Sequence, residues 1–224
     1  IYYKLNGSTT YTIYTGKPIV LTKTTTLEVR SSLNNILSES VTYTYTKVAG
    51  VSVTGTAVSW NDKDNAEYYL YPTTMSDADI RAQWKKGGAV TGYTYTGTGG
   101  TISDVTVDGK AMKSQSFSFS TVPNGTCKLA IFKPGKYVPK IITVIVDSSD
   151  EALGEVKLWL KGDVNYSGTV DFGDLQRLYQ HLSTSNKLTG EAVVVADVNE
   201  SGTADYGDLQ RLYQHLSTSN KFSD

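Results

Sequence analysis

The chain has 224 residues, of which 39% are hydrophobic, and its 21 basic side chains nearly cancel its 22 acidic ones. This length and composition predict one to three folded domains and exclude a disordered chain. The balanced charge leaves no strong field to gather nucleic acid or anionic lipid, and no apolar run approaches the roughly 20 residues that span a bilayer, so neither nucleic acid nor a membrane is expected as a partner. The single cysteine, Cys127, excludes an intrachain disulfide and a thiolate metal cluster. The first residues lack a basic start followed by an apolar stretch, so a mature chain or a soluble fragment is expected.

Residues 1–48 are rich in Tyr, Thr, Val and Ile, in short runs separated by turn residues, which predicts β-strands. Residues 41–45 alternate apolar and polar side chains, as a half-buried antiparallel strand with one wet face requires. The runs IYYKLNGS and PIVLTKTTTLEV resemble the small β-domain at the C-terminal end of chitobiase-like proteins. We therefore expect a small β-domain at residues 1–48, whose completeness the sequence leaves open.

Short strand patterns continue through residues 49–161, spaced by Gly, Pro, Asn and Asp turns, and predict a β-sandwich. One short helix is predicted near residues 77–86, because Ser76 can cap it, Asp79 follows three residues later, and the pair Gly87-Gly88 can stop it. The segment FSFSTVPNGTCKLAIFKPGKYVPKIITVIV resembles the carboxypeptidase-regulatory-like or transthyretin-like sandwich.

A duplicated segment characterises residues 162–224. The stretch DVNYSGTVDFGDLQRLYQHLSTSNK at residues 163–187 recurs as DVNESGTADYGDLQRLYQHLSTSNK at residues 197–221, and 22 of the 25 positions match. Each copy has one Gly-centred loop followed by apolar residues at helical spacing, so two loop–helix units are predicted. Only Lys161 and Gly162 separate them from the last predicted strand, which predicts a stiff junction.

Each copy places oxygen-bearing residues at alternate positions of a twelve-residue loop, with Gly168 or Gly202 at the sharp turn. Calcium takes six to eight oxygen ligands, and no nitrogen or sulfur ligand competes in either loop. Turn formation and helix capping alone are the alternative, but two full-length copies favour two calcium ions. Serine at the fifth position and Asp at the twelfth predict moderate affinity. The predicted ligands are Asp163, Asn165, Ser167, the carbonyl of Thr169, Asp171 and Asp174, and then Asp197, Asn199, Ser201, Thr203, Asp205 and Asp208.

The helix after each loop has a predicted core face and a repeated outward face. Leucines at helical spacing form the core face, with Tyr179 and Tyr213 beside them. A solvated outer face is one interpretation, but folding does not require such exposed positions to be nearly identical, since surface substitutions change stability by only about 0.5 kcal/mol. The duplication therefore favours a partner that contacts this face in both copies.

A loop followed by one helix, duplicated within about 60 residues, resembles a dockerin, the calcium-dependent module that plugs extracellular enzymes and scaffoldins into cohesins of the cellulosome. The resemblance implies two Ca²⁺ ions, a cohesin of a scaffoldin or cell-surface anchoring protein as the partner, and a secreted, extracellular or cell-surface-associated bacterial protein. It also implies that the preceding sandwich is an X-module, acting as a stabilising spacer. The implied cohesin contacts are Phe172, Gly173, Gln176, Arg177, Tyr179 and Gln180, and then Tyr206, Gly207, Gln210, Arg211, Tyr213 and Gln214.

Two further expectations accompany the resemblance. Many dockerins have small hydroxyl residues where this chain has an aromatic residue followed by Gly, which implies a different type of cohesin. Near-exact duplication suggests two docking orientations, in which a change on one helix leaves affinity largely intact.

Residues 188–196, between the copies, fit either a short helix or an extended bridge.

The predicted fold class is modular, with mainly-β sandwich modules followed by a small all-α domain of duplicated calcium loops and helices. An enzyme is not expected, because the sequence outside the loops offers no nucleophile with a base and no paired carboxylates. His181 and His215 hold equivalent repeat positions and are interpreted as helix-packing or partner residues. A calcium sensor is disfavoured, because both methionines lie outside the repeat.

The alternative function is a carbohydrate-binding accessory region of a secreted glycan-degrading protein, with a polysaccharide as partner. Trp60, Trp84 and Trp159, together with tyrosines, could form an aromatic platform for sugar rings. Strand formation and core packing explain the same aromatic residues, and the alternation around Trp159 predicts a buried strand residue.

Overall fold

The computed structural model describes residues 1–21, 23–46, 50–60, 63–85, 90–134 and 136–222. The chain divides into two compact units, Ile1–Ala49 and Gly50–Asp224. The second unit contains both the predicted sandwich and the predicted C-terminal module. The proposed Gly87-Gly88 stop, residue 86 at the end of the predicted helix, and the last two residues of the predicted C-terminal module lie outside the described residues.

The first unit holds a four-stranded antiparallel sheet in the order β2-β1-β3-β6, with β4 and β5 paired separately as a hairpin. Its strands are β1 (Tyr2–Leu5), β2 (Thr12–Ile13), β3 (Thr25–Arg30), β4 (Ser32–Leu33), β5 (Ile36–Leu37) and β6 (Val41–Tyr45).

Strand β6 forms where it was predicted, but the expected half-burial is wrong. The side chains of Val41, Tyr43 and Tyr45 are 53%, 53% and 47% exposed. The strand lies at the edge of the sheet and pairs only with β3. Within the described residues of this unit only Thr25 is buried, so no second layer covers the apolar face that the alternation defines. Alternation assigns side chains to faces of a sheet, whereas burial also requires another element to pack on that face.

The second unit begins with two four-stranded sheets, in the orders β10-β11-β7-β14 and β13-β12-β8-β9. Neighbouring strands are antiparallel except β14, which runs parallel to β7. The strands are β7 (Val51–Ser59), β8 (Glu67–Pro72), β9 (Tyr95–Thr96), β10 (Thr98–Val107), β11 (Lys110–Val122), β12 (Gly125–Phe132), β13 (Lys140–Val146) and β14 (Glu151–Lys157).

The sandwich core lies between the inward faces of the two sheets. Phe117 and Phe119, two residues apart on β11, are each 2% exposed and pack with Val53 of β7 and Leu129 of β12. Burial of each such side chain contributes roughly 1.5–3 kcal/mol to the stability of the fold. The alternating sequence of β11 therefore explains why this strand can lie at the centre of a sheet with one face in the core.

The predicted short helix is confirmed as α1 (Asp77–Lys85). The backbone amide of Asp79 donates to the hydroxyl of Ser76 at 3.1 Å, which satisfies one of the free amides at the start of the helix. Ile80 is fully buried against Phe132, so the helix covers the outer face of the second sheet.

The C-terminal part of the second unit is helical. Its helices are α2 (Phe172–Ser183), α3 (Glu191–Ala196) and α4 (Tyr206–Ser217), so the segment between the copies contains a short helix rather than an extended bridge. Leu178 of α2 and Leu212 of α4 are fully buried and pack with Ala196 of α3. The predicted fold class, β-sheet modules followed by a helical module, is confirmed. None of the helices in the described residues is long and apolar enough to span a membrane.

Candidate functional site

Residues 163–174, called loop 1 below, fold around two buried carboxylates. Asp163 is fully buried and accepts hydrogen bonds from the backbone amides of Ser167 at 2.8 Å and Gly168 at 2.9 Å. Asp174, at the other end of the loop, accepts from the amides of Asn165 at 3.0 Å and Asp171 at 2.9 Å. Gly168 makes the predicted sharp turn with a φ of 93°, a value that favours glycine. The loop is thus closed from both ends by its own carboxylates.

Residues 197–208, called loop 2 below, repeat this arrangement. The carboxylate of Asp197 accepts from the amides of Ser201 at 2.9 Å and Gly202 at 2.8 Å. Asp208 is fully buried and accepts from the amides of Asn199 at 2.9 Å and Asp205 at 2.8 Å. Matching partners and distances show that the two copies adopt the same internal geometry.

The ninth residue of each loop also begins the following helix. Asp171 caps α2 by accepting from the amide of Gly173 at 2.7 Å, and Asp205 caps α4 through Gly207 at the same distance. A Cβ atom added at Gly173 would lie 2.9 Å from the Asp171 carboxylate and 3.1 Å from the Asn165 amide nitrogen. Glycine in the eleventh position therefore has a local structural reason that does not depend on the choice of partner.

Burial raises the pKa values of the Asp163, Asp174 and Asp208 carboxyl groups above their usual range. The nearby Asp163 and Asp171 carboxylates raise the pKa of Asp174 further, while the hydrogen bonds from backbone amides act in the opposite direction. Negative charge is thus concentrated where water is excluded, and a bound cation would relieve this cost.

The oxygen donors of each loop are of several chemical kinds. Among the described residues, no three His, Cys, Asp or Glu side chains are arranged to hold a metal by themselves. Each loop adds Asn, Ser and backbone oxygens to its carboxylates, and the Thr169 carbonyl accepts from the Ser167 hydroxyl at 3.0 Å inside loop 1. An all-oxygen set of mixed carboxylate, amide, hydroxyl and carbonyl groups fits a hard cation such as Ca²⁺.

Helices α2 and α4 form an open apolar groove of about 480 Å³ between their outward faces. The four aromatic rings are largely exposed, at 59% for Phe172, 54% for Tyr179, 61% for Tyr206 and 54% for Tyr213. The structure therefore brings the equivalent aromatic positions of the two copies into one surface. The eight residues that line this aromatic groove are Phe172, Leu175, Gln176, Tyr179, Tyr206, Leu209, Gln210 and Tyr213.

Leu175 and Leu209 are additions to the predicted contact set, since their helical spacing assigned them to the core alone. Both leucines pack partly against the core and also line the groove. Sequence periodicity gave no signal for this double position, because it depends on how the two helices lie side by side.

Three predicted pairs of contact residues do not line the groove: Gly173 and Gly207, Arg177 and Arg211, and Gln180 and Gln214. Both arginines bind backbone carbonyls that follow their own helices. The Arg177 guanidinium donates to the carbonyls of Asn186 at 3.0 Å and Lys187 at 3.3 Å. Arg211 donates in the same way to Asn220 at 2.8 Å and Lys221 at 2.6 Å. In this structure the arginines stabilise the chain after each helix.

The two histidines accept hydrogen bonds from the backbone beyond their helices. The Nδ1 atom of His181 accepts from the amide of Leu188 at 2.8 Å, and that of His215 accepts from the amide of Phe222 at 2.9 Å. His215 is buried and its ring stacks on Phe222 at a centroid distance of 3.8 Å. Both imidazoles therefore serve helix packing, with the proton of the neutral ring on Nε2.

Acidification at constant calcium is expected to destabilise this module. Burial lowers both histidine pKa values from 6.5, with Lys187 and Arg177 adding to the effect at His181, and Lys221, Lys136 and Arg211 at His215. The histidines of the unfolded chain then bind protons more readily than those of the folded chain. The contribution of the two neutral histidines to the stability of the fold is therefore complete above pH 6.5 and is lost as the pH falls below it. Thermal unfolding should show a lower melting temperature at pH 5.5 than at pH 7.5. The double variant His181→Asn, His215→Asn keeps an acceptor without titrating, and an equally large loss in it would contradict this explanation.

Each of the three tryptophans is half-buried rather than exposed. Trp84 stacks on Phe132 at a centroid distance of 5.1 Å. Trp159 is not the buried strand residue that was predicted, because it follows the end of β14 and is only half-buried. Its indole donates to the carboxylate of Glu191 at 2.7 Å, and its ring packs on Tyr166 at a centroid distance of 4.3 Å. Trp159 therefore packs between the sandwich and the helical module.

Residues 161–217 match the family model of the dockerin type I domain. No curated protein matches the chain. Among solved structures, the chain is similar to CBMbc, a family CBM26 module from Eubacterium rectale Amy13K in complex with maltoheptaose. The identity is 10%, the TM-score is 0.19, and the alignment covers 70% of this chain and 89% of that one. This TM-score is too low to support a conclusion about fold or ligand. The duplicated loops, the helices behind them and the family match together identify residues 161–217 as a dockerin type I domain, preceded in the chain by β-sheet regions.

Proposed function

We propose that the C-terminal module of this chain is a calcium-dependent docking module that binds a cohesin and thereby assembles or anchors a cellulosome outside the cell. The two loops would each hold one Ca²⁺ through the predicted oxygen ligands, and the ions would fix the helices that carry the contact surface. The aromatic groove is the single observation that carries this proposal, since four exposed rings from the two copies converge on one surface.

The chemistry of the aromatic groove indicates the kind of surface that it binds. Its lining combines four aromatic rings, two leucines and two glutamines, and none of these side chains is charged. Exposed apolar patches of this kind are typical of protein interfaces, in which aromatic residues provide much of the binding energy. The cohesin that fits would present an apolar surface to the centre of the groove.

The position of the groove also changes what the duplication implies for docking. The sequence suggested that either helix could present the same patch by itself. Here the patches of α2 and α4 form one continuous groove, so a partner seated in it contacts both helices at once. Two docking orientations remain compatible with near-identical copies, but each orientation would use both helices.

A panel of cohesins tested against the full chain, in calcium and in excess chelator, checks this function. Binding of at least one cohesin in calcium, with loss of binding in chelator, is the expected result. Binding that is equally strong in both conditions would contradict the calcium dependence, and binding to no cohesin in a panel that covers the known types would contradict the proposed partner.

The sandwich is proposed as a stabilising support for the docking module. The carboxylate of Glu191, at the start of α3, is shared between the indole of Trp159 and the ammonium group of Lys140 on β13. Lys161, which follows the sandwich, pairs with Glu200 of loop 2 at 2.6 Å. These contacts are formed within one compact unit and join the sandwich to the helical module at several points.

A further inference from the structure

We propose that the sandwich supports loop 1 more closely than loop 2, so that two loops of nearly identical sequence bind calcium with different affinities, loop 1 the more tightly. This inference rests on the proposed calcium binding and concerns residues that lie outside the ligand sets.

The loops themselves give no reason for different affinities. Their ligand types are the same at every position, and the hydrogen bonds from backbone amides to the first and twelfth carboxylates differ in length by 0.1 Å between the loops. The fourth residues, Tyr166 and Glu200, share the same left-handed backbone conformation, with φ values of 59° and 63°. A difference in affinity must therefore come from what surrounds each loop.

Loop 1 is held by the ends of three sandwich strands. Lys110, the first residue of β11, donates to the carbonyl of Tyr166 at 2.7 Å. Trp159, beyond β14, packs on the ring of Tyr166. Trp60, beyond β7, lies against Gly168 so closely that a Cβ added to that glycine would be 2.8 Å from the indole ring. The sandwich therefore fixes both the fourth and the sixth residue of loop 1.

Loop 2 has a more open environment. Asp197, Asn199 and Gly202 line a cavity of about 720 Å³, whose other wall includes Arg81 and Trp84 of α1. A Cβ added at Gly202 would meet no atom within 4 Å among the described residues. The first ligand of loop 1, Asp163, is fully buried, whereas its counterpart Asp197 is only half-buried. Less of loop 2 is thus held in place before an ion binds.

The residue at the fourth position of each loop matches the surroundings of that loop. Only three of the 25 repeat positions differ, and one of them is Tyr166 against Glu200. The tyrosine ring packs on Trp159, whereas the glutamate pairs with Lys161. The two copies have therefore diverged where the sandwich contacts them differently.

Preorganisation decides which of the two loops binds calcium more tightly. A loop whose backbone is already fixed loses less conformational freedom when it binds an ion, and fixing one residue corresponds to about 5- to 30-fold in a binding constant. The positive charge of Lys110 opposes a cation in loop 1, but Lys110 is exposed and water and salt screen its charge. Loop 2 also has a cation beside it, because Arg81 interacts electrostatically with Asp197, whereas the Lys161–Glu200 pair adds no net charge. The support of loop 1 outweighs the charge of Lys110, and because coupling is reciprocal, an ion in loop 1 also strengthens the contact with the sandwich.

Single-loop variants of the full chain test this inference by calorimetric calcium titration. Asp208→Asn leaves loop 1 intact and Asp174→Asn leaves loop 2 intact, and the two changes are matched because both carboxylates are fully buried with equivalent partners. The loop 1 site is expected to bind calcium about tenfold more tightly than the loop 2 site. Adding Tyr166→Ala, which removes the ring that packs on Trp159 but keeps the hydrogen bond from Trp159 to Glu191, should reduce this difference by weakening loop 1 and should leave loop 2 unchanged.

Equal affinities of the two loops, tighter binding at loop 2, or equal weakening of both loops by Tyr166→Ala would overturn the inference while leaving calcium binding intact. No calcium binding at either loop would overturn the proposed function as well. If a single-loop variant does not fold, terbium titration of the unmodified chain replaces it. The part of the terbium luminescence that Trp60→Phe abolishes reports on loop 1, because Trp60 contacts that loop. This part should saturate with the first equivalent of terbium. Saturation only with the second equivalent would refute the inference.

Discussion

Chelation of calcium is expected to unfold residues 162–222 while the β-sandwich remains folded. Asp163, Asp174 and Asp208 are fully buried, and without a cation their negative charges are excluded from water and face other carboxylates. The hydrophobic cluster of this module contains eight buried residues, a small core to offset that cost. Three of the four helices in the described residues belong to this module, so circular dichroism at 222 nm should lose most of its helical signal in chelator and regain it when calcium is added.

Point variants separate ion binding from other effects of the chelator. Asp174→Asn removes a buried charge from loop 1 and should lower the calcium-dependent melting temperature of the helical module by ten degrees or more, that is, by at least about 2 kcal/mol of stability. Asp147→Asn changes an exposed acid of the sandwich and serves as the matched control that should leave melting unchanged. A helical signal that is the same in calcium and in chelator would contradict the role of the ions in folding.

Replacement of a single groove tyrosine is expected to weaken cohesin binding, whichever copy carries the change. Tyr179 and Tyr213 are each 54% exposed in the free chain and lie in the same groove, so a partner that covers the groove buries both rings. Truncation of an aromatic residue at the centre of an interface typically costs 2 kcal/mol or more, about 30-fold in affinity. Tyr179→Ala and Tyr213→Ala should have similar effects, and the double variant should abolish detectable binding.

This result distinguishes the continuous groove from two independent patches. With independent patches, each single variant would retain nearly full affinity through the unchanged copy, and only the double variant would lose it. Calorimetric titration of a cohesin that binds the full chain measures the difference directly. Tyr43→Ala is a suitable control, because Tyr43 is 53% exposed but lies in the first unit, far along the chain from the repeat.

The repeat explains why much of the docking module could be predicted from sequence. Two copies of an Asp- and Asn-rich loop followed by leucines at helical spacing specify local structure. The carboxylates of Asp163 and Asp174 then close loop 1 by accepting hydrogen bonds from its backbone amides, and Asp197 and Asp208 close loop 2 in the same way. The start of each helix was also encoded locally, because Asp171 and Asp205 act both in the loop and as caps. Such features depend on neighbours within about twelve residues and are therefore visible in a pattern.

What could not be predicted depends on contacts between distant parts of the chain. The groove forms because α2 and α4 lie side by side, which placed Leu175 at a surface as well as at the core. The outward position of Arg177 on a helix could not show that its guanidinium would bind carbonyls beyond that helix. In the same way, strand alternation around Trp159 could not indicate that the strand ends two residues earlier and that the indole contacts Glu191.

The parallel pairing of β14 with β7 determines how the sandwich would respond to mechanical tension. The chain enters β7 at Val51 and leaves β14 at Lys157, and in a parallel pair these two points lie at opposite ends of the shared hydrogen-bond ladder. A pull between the first unit and a C-terminal module anchored to its partner would load the hydrogen bonds on both sides of the irregularity between Ala152 and Glu155 in shear, rather than opening them one after another from one end. Rupture would then require the whole ladder to fail at once, so this strand pair would act as a clamp on the tether between the two ends of the chain.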